Sequence, residues 1–164
     1  MIRFLLPGTV AVALTTGPAL ALSCLASDVV RTYQQAAEAD ETYIVVYGEL
    51  SFDEDKLPIV DYSNQADTPP DTLIPARING KSLTLGGFDA DFDRPITLNA
   101  KCFGPWCAKP ASGTPYLAFL ERTDDGYMLE LDPCGGNGIY QPSEAIRHKV
   151  AVCFQGGACQ PEDY

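Results

Sequence analysis

Six cysteines in a chain of 164 residues constrain this protein more than any other feature. Cysteines in such number pair up in oxidising compartments, and the first 21 residues give a reason to expect one. Arg3 is their only charge, an apolar run follows from Phe4 to Leu14, and Ala19-Leu20-Ala21 matches a small-x-small cleavage site. Gly8, Gly17 and two prolines interrupt the run, which falls short of the roughly 20 apolar residues of a spanning helix. Residues 1–21 are therefore expected to be a signal peptide. Residues 22–164 are expected to form one exported domain, periplasmic or extracellular, with no membrane span. Its length of about 143 residues suffices for a real core.

Six cysteines allow 15 connectivities, and their spacing narrows the choice. Cys102 and Cys107 bracket FGPW, a turn with Gly and Pro; Cys153 and Cys159 bracket FQGGA. Both read as local staples, which leaves Cys24 to reach Cys134. A swap in which Cys24 takes Cys102 or Cys107 is the rival scheme. No pair has C-x2-C spacing and exported thiols oxidise, so no metal site is expected.

Loss of Arg3 with the signal would leave 22 acidic side chains against ten basic ones, a net charge of about −12. That balance argues against nucleic acid and anionic membranes, which need basic patches. It serves solubility, or a basic partner or a cation.

In chain order, Ser27 is positioned to cap a helix to about Ala39, with Val29, Val30, Tyr33, Ala36 and Ala37 on one face. TYIVVYGEL, residues 42–50, is the best strand of the N-terminal half, and its glycine suggests a bend. Phe52 to Pro75 is polar and proline-rich and reads as a long loop, of which Leu57 to Val60 can pack on the domain. Asn79-Gly80 between ARI and KSLTL reads as a hairpin turn. FDADFDRPITLNAKC supplies another strand, with Ile96 and Leu98 facing one way and Thr97 and Asn99 the other. TPYLAFLER and GYMLELD flank Asp124-Asp125-Gly126, the clearest hairpin signal in the chain. The glycines at 135, 136 and 138 mark a loop. Ser143 caps a last helix, whose Ile146, Val150, Cys153 and Phe154 share a face and which ends at Gly156-Gly157. Strands dominate the middle; helices flank them.

The order of these pieces resembles the netrin-like domain, the type also found in tissue inhibitors of metalloproteinases. The matching residues are Cys24, Ala39-Asp40, Gly48, Cys102 with Gly104, Gly113, Tyr116-Leu117, Asp125-Gly126 and Cys134. The resemblance implies a five-stranded OB-like barrel with flanking helices, stapled to its N-terminal segment by a disulfide. It also implies a role in binding a protein or small ligand. This chain departs from the pattern in having one N-terminal cysteine rather than Cys-x-Cys, a close Cys102/Cys107 pair and an added Cys153/Cys159 pair. In inhibitors of this type, the free amine and carbonyl of an N-terminal cysteine chelate the protease zinc. Here that requires cleavage after Ser23, since Ala21-Leu22-Ser23 is also a small-x-small site. Lipidation of Cys24 is disfavoured, because Ala21 stands where a leucine is expected.

No catalytic constellation stands out. His148 is the only histidine, beside Arg147 and Lys149 in the last helix; no Gly-x-Ser-x-Gly occurs, and the disulfide framework absorbs the thiols. A small hydrolase would need a carboxylate pair that nothing singles out. Asp89, Asp91 and Asp93 alternate in a calcium-like way, but Arg94 and Ala100 stand where an EF-hand needs Gly and Glu. They read as the outer face of a strand. The expectation is a non-catalytic binding module without cofactor. Its candidate contact surface is Phe103 and Trp106 on the Cys102–Cys107 turn with Asp53, Asp55 and Tyr62 on the long loop.

Overall fold

The computed structural model describes residues 22–24 and 27–162; the expected signal peptide lies outside them. The chain runs α1 (Val29–Glu38), β1 (Tyr43–Phe52), β2 (Asp71–Thr84), β3 (Gly87–Phe103), β4 (Trp106–Cys107), β5 (Thr114–Thr123), β6 (Gly126–Leu131), β7 (Gly138–Tyr140) and α2 (Glu144–Phe154). It is mainly β, with a helix near each end.

Five strands close into a ring. β1 pairs with β2, β2 with β3, β3 with β6, β6 with β5, and β5 returns to β1. All these pairings are antiparallel except β3–β6, where Thr97–Ala100 run alongside Met128–Leu131. β6 leaves β5 after three residue pairs, and β7 takes up the same edge of β5 further along, with Tyr140 opposite Tyr116. β4 folds back on the end of β3.

Alternation sorts the side chains into two cores. Val46, Leu50, Ile74, Ile78, Leu98, Leu120 and Leu129 fill the ring. On the outer side of β1 and β5, Val45, Leu117 and Phe119 meet Val29 and Val30 of α1 and Val150 of α2. β5 is thus buried on both faces from Tyr116 to Leu120, which is why its sequence is an unbroken apolar run. Each such buried Leu or Phe contributes about 1.5–3 kcal/mol.

The three disulfides are Cys24–Cys134, Cys102–Cys107 and Cys153–Cys159. They match the pairing favoured by spacing, and they point to an oxidising environment. No helix among the described residues is long and apolar enough to cross a membrane.

Three local expectations are corrected. Asn79-Gly80 is not a turn: both lie inside β2, with Gly80 opposite Gly48 of β1. A Cβ at Gly48 would stand 2.6 Å from the Asn79 carbonyl oxygen, so the glycines serve close backbone approach between strands. The β2–β3 hairpin instead turns at Leu85-Gly86, followed by Gly87 at φ 111°. The long loop ends at Pro70, because β2 starts at Asp71 and absorbs Pro75. Pro75 is tolerated there: the register with β1 begins only at Ala76, so that edge asks for no N–H. α1 is capped by Asp28 rather than Ser27, its Oδ1 accepting from Val30 N at 2.8 Å. Asn99 does face away from Ile96 and Leu98 as expected, yet it is buried on that outer side.

Candidate functional site

β1, β3, β5 and β6 bring one set of strand ends together, and three connecting segments cluster there. The β1–β2 loop, residues 53–70, is tied down at both feet. Ser112 Oγ donates to Phe52 O and accepts from Phe52 N, both at 2.9 Å. Ser112 N donates to Glu54 Oε1 at 2.6 Å. At the other foot, Cys102 N donates to Pro70 O at 2.9 Å. The second segment, residues 104–113, leaves β3 through the Cys102–Cys107 bond. The third, residues 132–137, carries Cys134, bonded to the exposed Cys24.

The second and third segments enclose a groove of about 440 Å³. Lys109, Pro110, Tyr116, Asp132, Pro133 and Tyr140 line it, with Cys107 at its margin. Tyr116 and Tyr140 pack edge to face, ring centres 5.6 Å apart, and Tyr140 remains exposed. The Tyr116 hydroxyl accepts from Ala111 N at 3.1 Å. Burial pushes its phenol pKa above the ordinary 10. The groove is therefore a mostly apolar trough with a neutral buried hydroxyl in its floor and one charge of each sign in its lining. It can hold an apolar or aromatic group and orient it with a few polar contacts.

The residues singled out in the sequence fall around this groove, not in it. Phe103 and Trp106 face each other across the β3–β4 hairpin; Phe103 is exposed and Trp106 half-buried. Asp53 caps a single 3-10 turn, accepting from Asp55 N at 3.2 Å, and forms an exposed ion pair with Lys56. Tyr62 is 72% exposed and Ile59 88% exposed on the same loop, whose middle is ordered by Asp61 Oδ1 accepting from Ser63 N at 2.8 Å. The hydrogen bonds from Ser63 lower the Asp61 pKa. Leu57 packs on the ring core.

The groove itself went unread because its walls come from segments distant in sequence. The available signal was a tyrosine and two prolines, Pro110, Pro133 and Tyr140, each within a few residues of a cysteine or glycine cluster. His148 is exposed on α2. Asp89, Asp91 and Asp93 are exposed on β3, and each has a partner on β2: Thr84 Oγ1 at 2.6 Å, Lys81 at 2.5 Å and Arg77 at 2.6 Å. Comparison with protein-family models, with curated proteins and with solved structures finds no match.

Proposed function

We propose that this chain is an exported, non-catalytic binding module of netrin-like type that takes a protein or small ligand at the grooved end of its ring. The two disulfide-anchored segments that enclose an apolar trough with an exposed tyrosine carry this reading. Anchoring matters because a preorganised surface loses less entropy on binding, and exposed aromatics make good anchors. The netrin-like assignment draws support from the ring order β1-β2-β3-β6-β5 with its one parallel pair, which is how an OB-type barrel closes. The disulfide from Cys24 to the segment after β6 supports it further.

The test is a photo-crosslinking residue in place of Tyr140 or Tyr62, compared with the same residue at Leu85, which is 75% exposed at the opposite end. A partner should crosslink from 140 or 62 and not from 85. Crosslinking from 85 alone would refute the proposal. A second reading, inhibition of a metalloprotease through Cys24, is favoured by the exposure of that residue next to a wall of the groove. It requires the exported protein to start at Cys24, which intact mass decides; a start at Leu22 excludes it.

A further inference from the structure

The outer face of β2, β3 and β6 carries a polar cluster that meets the groove lining only at Asp132. Leu73, Asn99 and Glu130 sit side by side across the three strands, and Asp71 pairs with Lys101 in the next row. Asn99 Nδ2 donates to Asp71 Oδ1 at 2.9 Å. Lys101 Nζ lies 3.2 Å from Glu130 Oε2 and 3.9 Å from Asp71 Oδ1. The hydrogen bond to Glu130 raises the Lys101 pKa, with Asp71 and Asp132 adding to it, so the ammonium is charged at neutral pH.

Two features stay unbalanced. Asn99 is only 6% exposed, yet its Oδ1, sealed from solvent, accepts no hydrogen bond from the described residues. A buried carbonyl without a donor costs about 1–3 kcal/mol. The cluster also holds the carboxylates of Asp71, Glu130 and Asp132 against one ammonium. It lacks a donor and a positive charge together.

We propose that this face receives an arginine side chain from a protein partner, its guanidinium donating to Asn99 Oδ1 and to the Asp71 carboxylate. A guanidinium presents five donors in a rigid fork and can serve both acceptors at once. A lysine ammonium is a compact point charge of the kind Lys101 already supplies. Leu73, 64% exposed directly beside Asn99, offers apolar surface to the arginine stem. Phe103, two residues beyond Lys101 on the same strand and 42% exposed, offers a ring face. Because Asn99 Oδ1 is sealed in the free protein, binding requires a neighbouring side chain to move and open the way to it.

The test is titration of the oxidised, 15N-labelled full chain with Nα-acetyl-arginine methylamide up to tens of millimolar, a range suited to a single side chain. The expected result is a saturable shift of the Asn99 side-chain amide signals. The citrulline analogue, which is neutral and nearly isosteric, should give none, and the lysine analogue should bind at least about five-fold more weakly. Asp71→Asn and Glu130→Gln, both at half-exposed positions, should keep the native spectrum and weaken binding at least about five-fold. No shift, an equal shift with citrulline or lysine, or unchanged binding by Asp71→Asn would each overturn the proposal. All of these outcomes leave the groove reading untouched, since its reporters are Tyr140 and Tyr62.

Discussion

The two ends of the ring are built on different principles. At one end β2 turns into β3 at Leu85-Gly86 and β5 into β6 at Asp124-Asp125. Two residues set each geometry, and a glycine at positive φ follows, Gly87 at 111° and Gly126 at 130°. At the other end the strands run out into longer segments that local turns shape only in part. Two disulfides and the contacts of Ser112 and Cys102 hold them. Local chemistry makes a compact end of two tight hairpins. Long-range tethers make an end whose shape can vary without disturbing the ring, which is where a binding surface belongs.

The contrast breaks most severely if its longest tether is cut. Replacing Cys24 and Cys134 together by serine opens a span of 110 residues and should cost about 4–5 kcal/mol in urea unfolding. A loss below about 1 kcal/mol would mean that the grooved end holds its shape without the bond. At the compact end, Gly126→Ala should cost about 1–3 kcal/mol through backbone strain alone, with crosslinking from Tyr140 unchanged.

Tyr116→Phe probes the groove floor and should cost about 1 kcal/mol at neutral pH by leaving Ala111 N without its acceptor. Its pH dependence is sharper. The folded phenol has a raised pKa because burial disfavours the anion, so its stabilising effect is complete below pH 10 and declines as pH rises toward the folded value. Wild type should therefore lose stability above pH 10 more steeply than Tyr116→Phe in thermal melts. Equal slopes would show that the phenol is not sealed. The smallest effect belongs to the hairpin surface: Lys81→Met removes an ion pair exposed by 47% and 91% and should change stability by less than about 1 kcal/mol, a change that high salt mimics.

Elements whose signal is local were legible. The Asp124-Asp125-Gly126 hairpin, the two flanking helices and the cysteine pairing all follow from residues within a few positions of one another, or from what those leave over. Asn79-Gly80 misled because the same dipeptide serves two purposes. Its glycine can supply positive φ in a turn, or, as here, let a facing strand approach; only the partner, Gly48, decides between them. The burial of Asn99 was not legible for a related reason. Alternation correctly placed it on the outer face, but whether that face is open depends on Asp71, Lys101 and Glu130 from three strands. The groove was least legible of all, since Tyr116, Asp132 and Tyr140 share no pattern until β5, β6 and β7 are side by side.

The ring does not close along its whole height. β6 meets β3 only from Thr97 to Ala100, so on that side Gly87 to Pro95 has no strand partner among the described residues. An unpaired edge of this length is a template on which a second molecule can polymerise. This one displays Asp89, Asp91, Asp93 and Pro95 in alternation. A strand arriving there would bring its backbone against three carboxylates and a position with no N–H to offer. The aspartates that look like a calcium motif thus also mark this edge with charge, a feature that disfavours the addition of another strand.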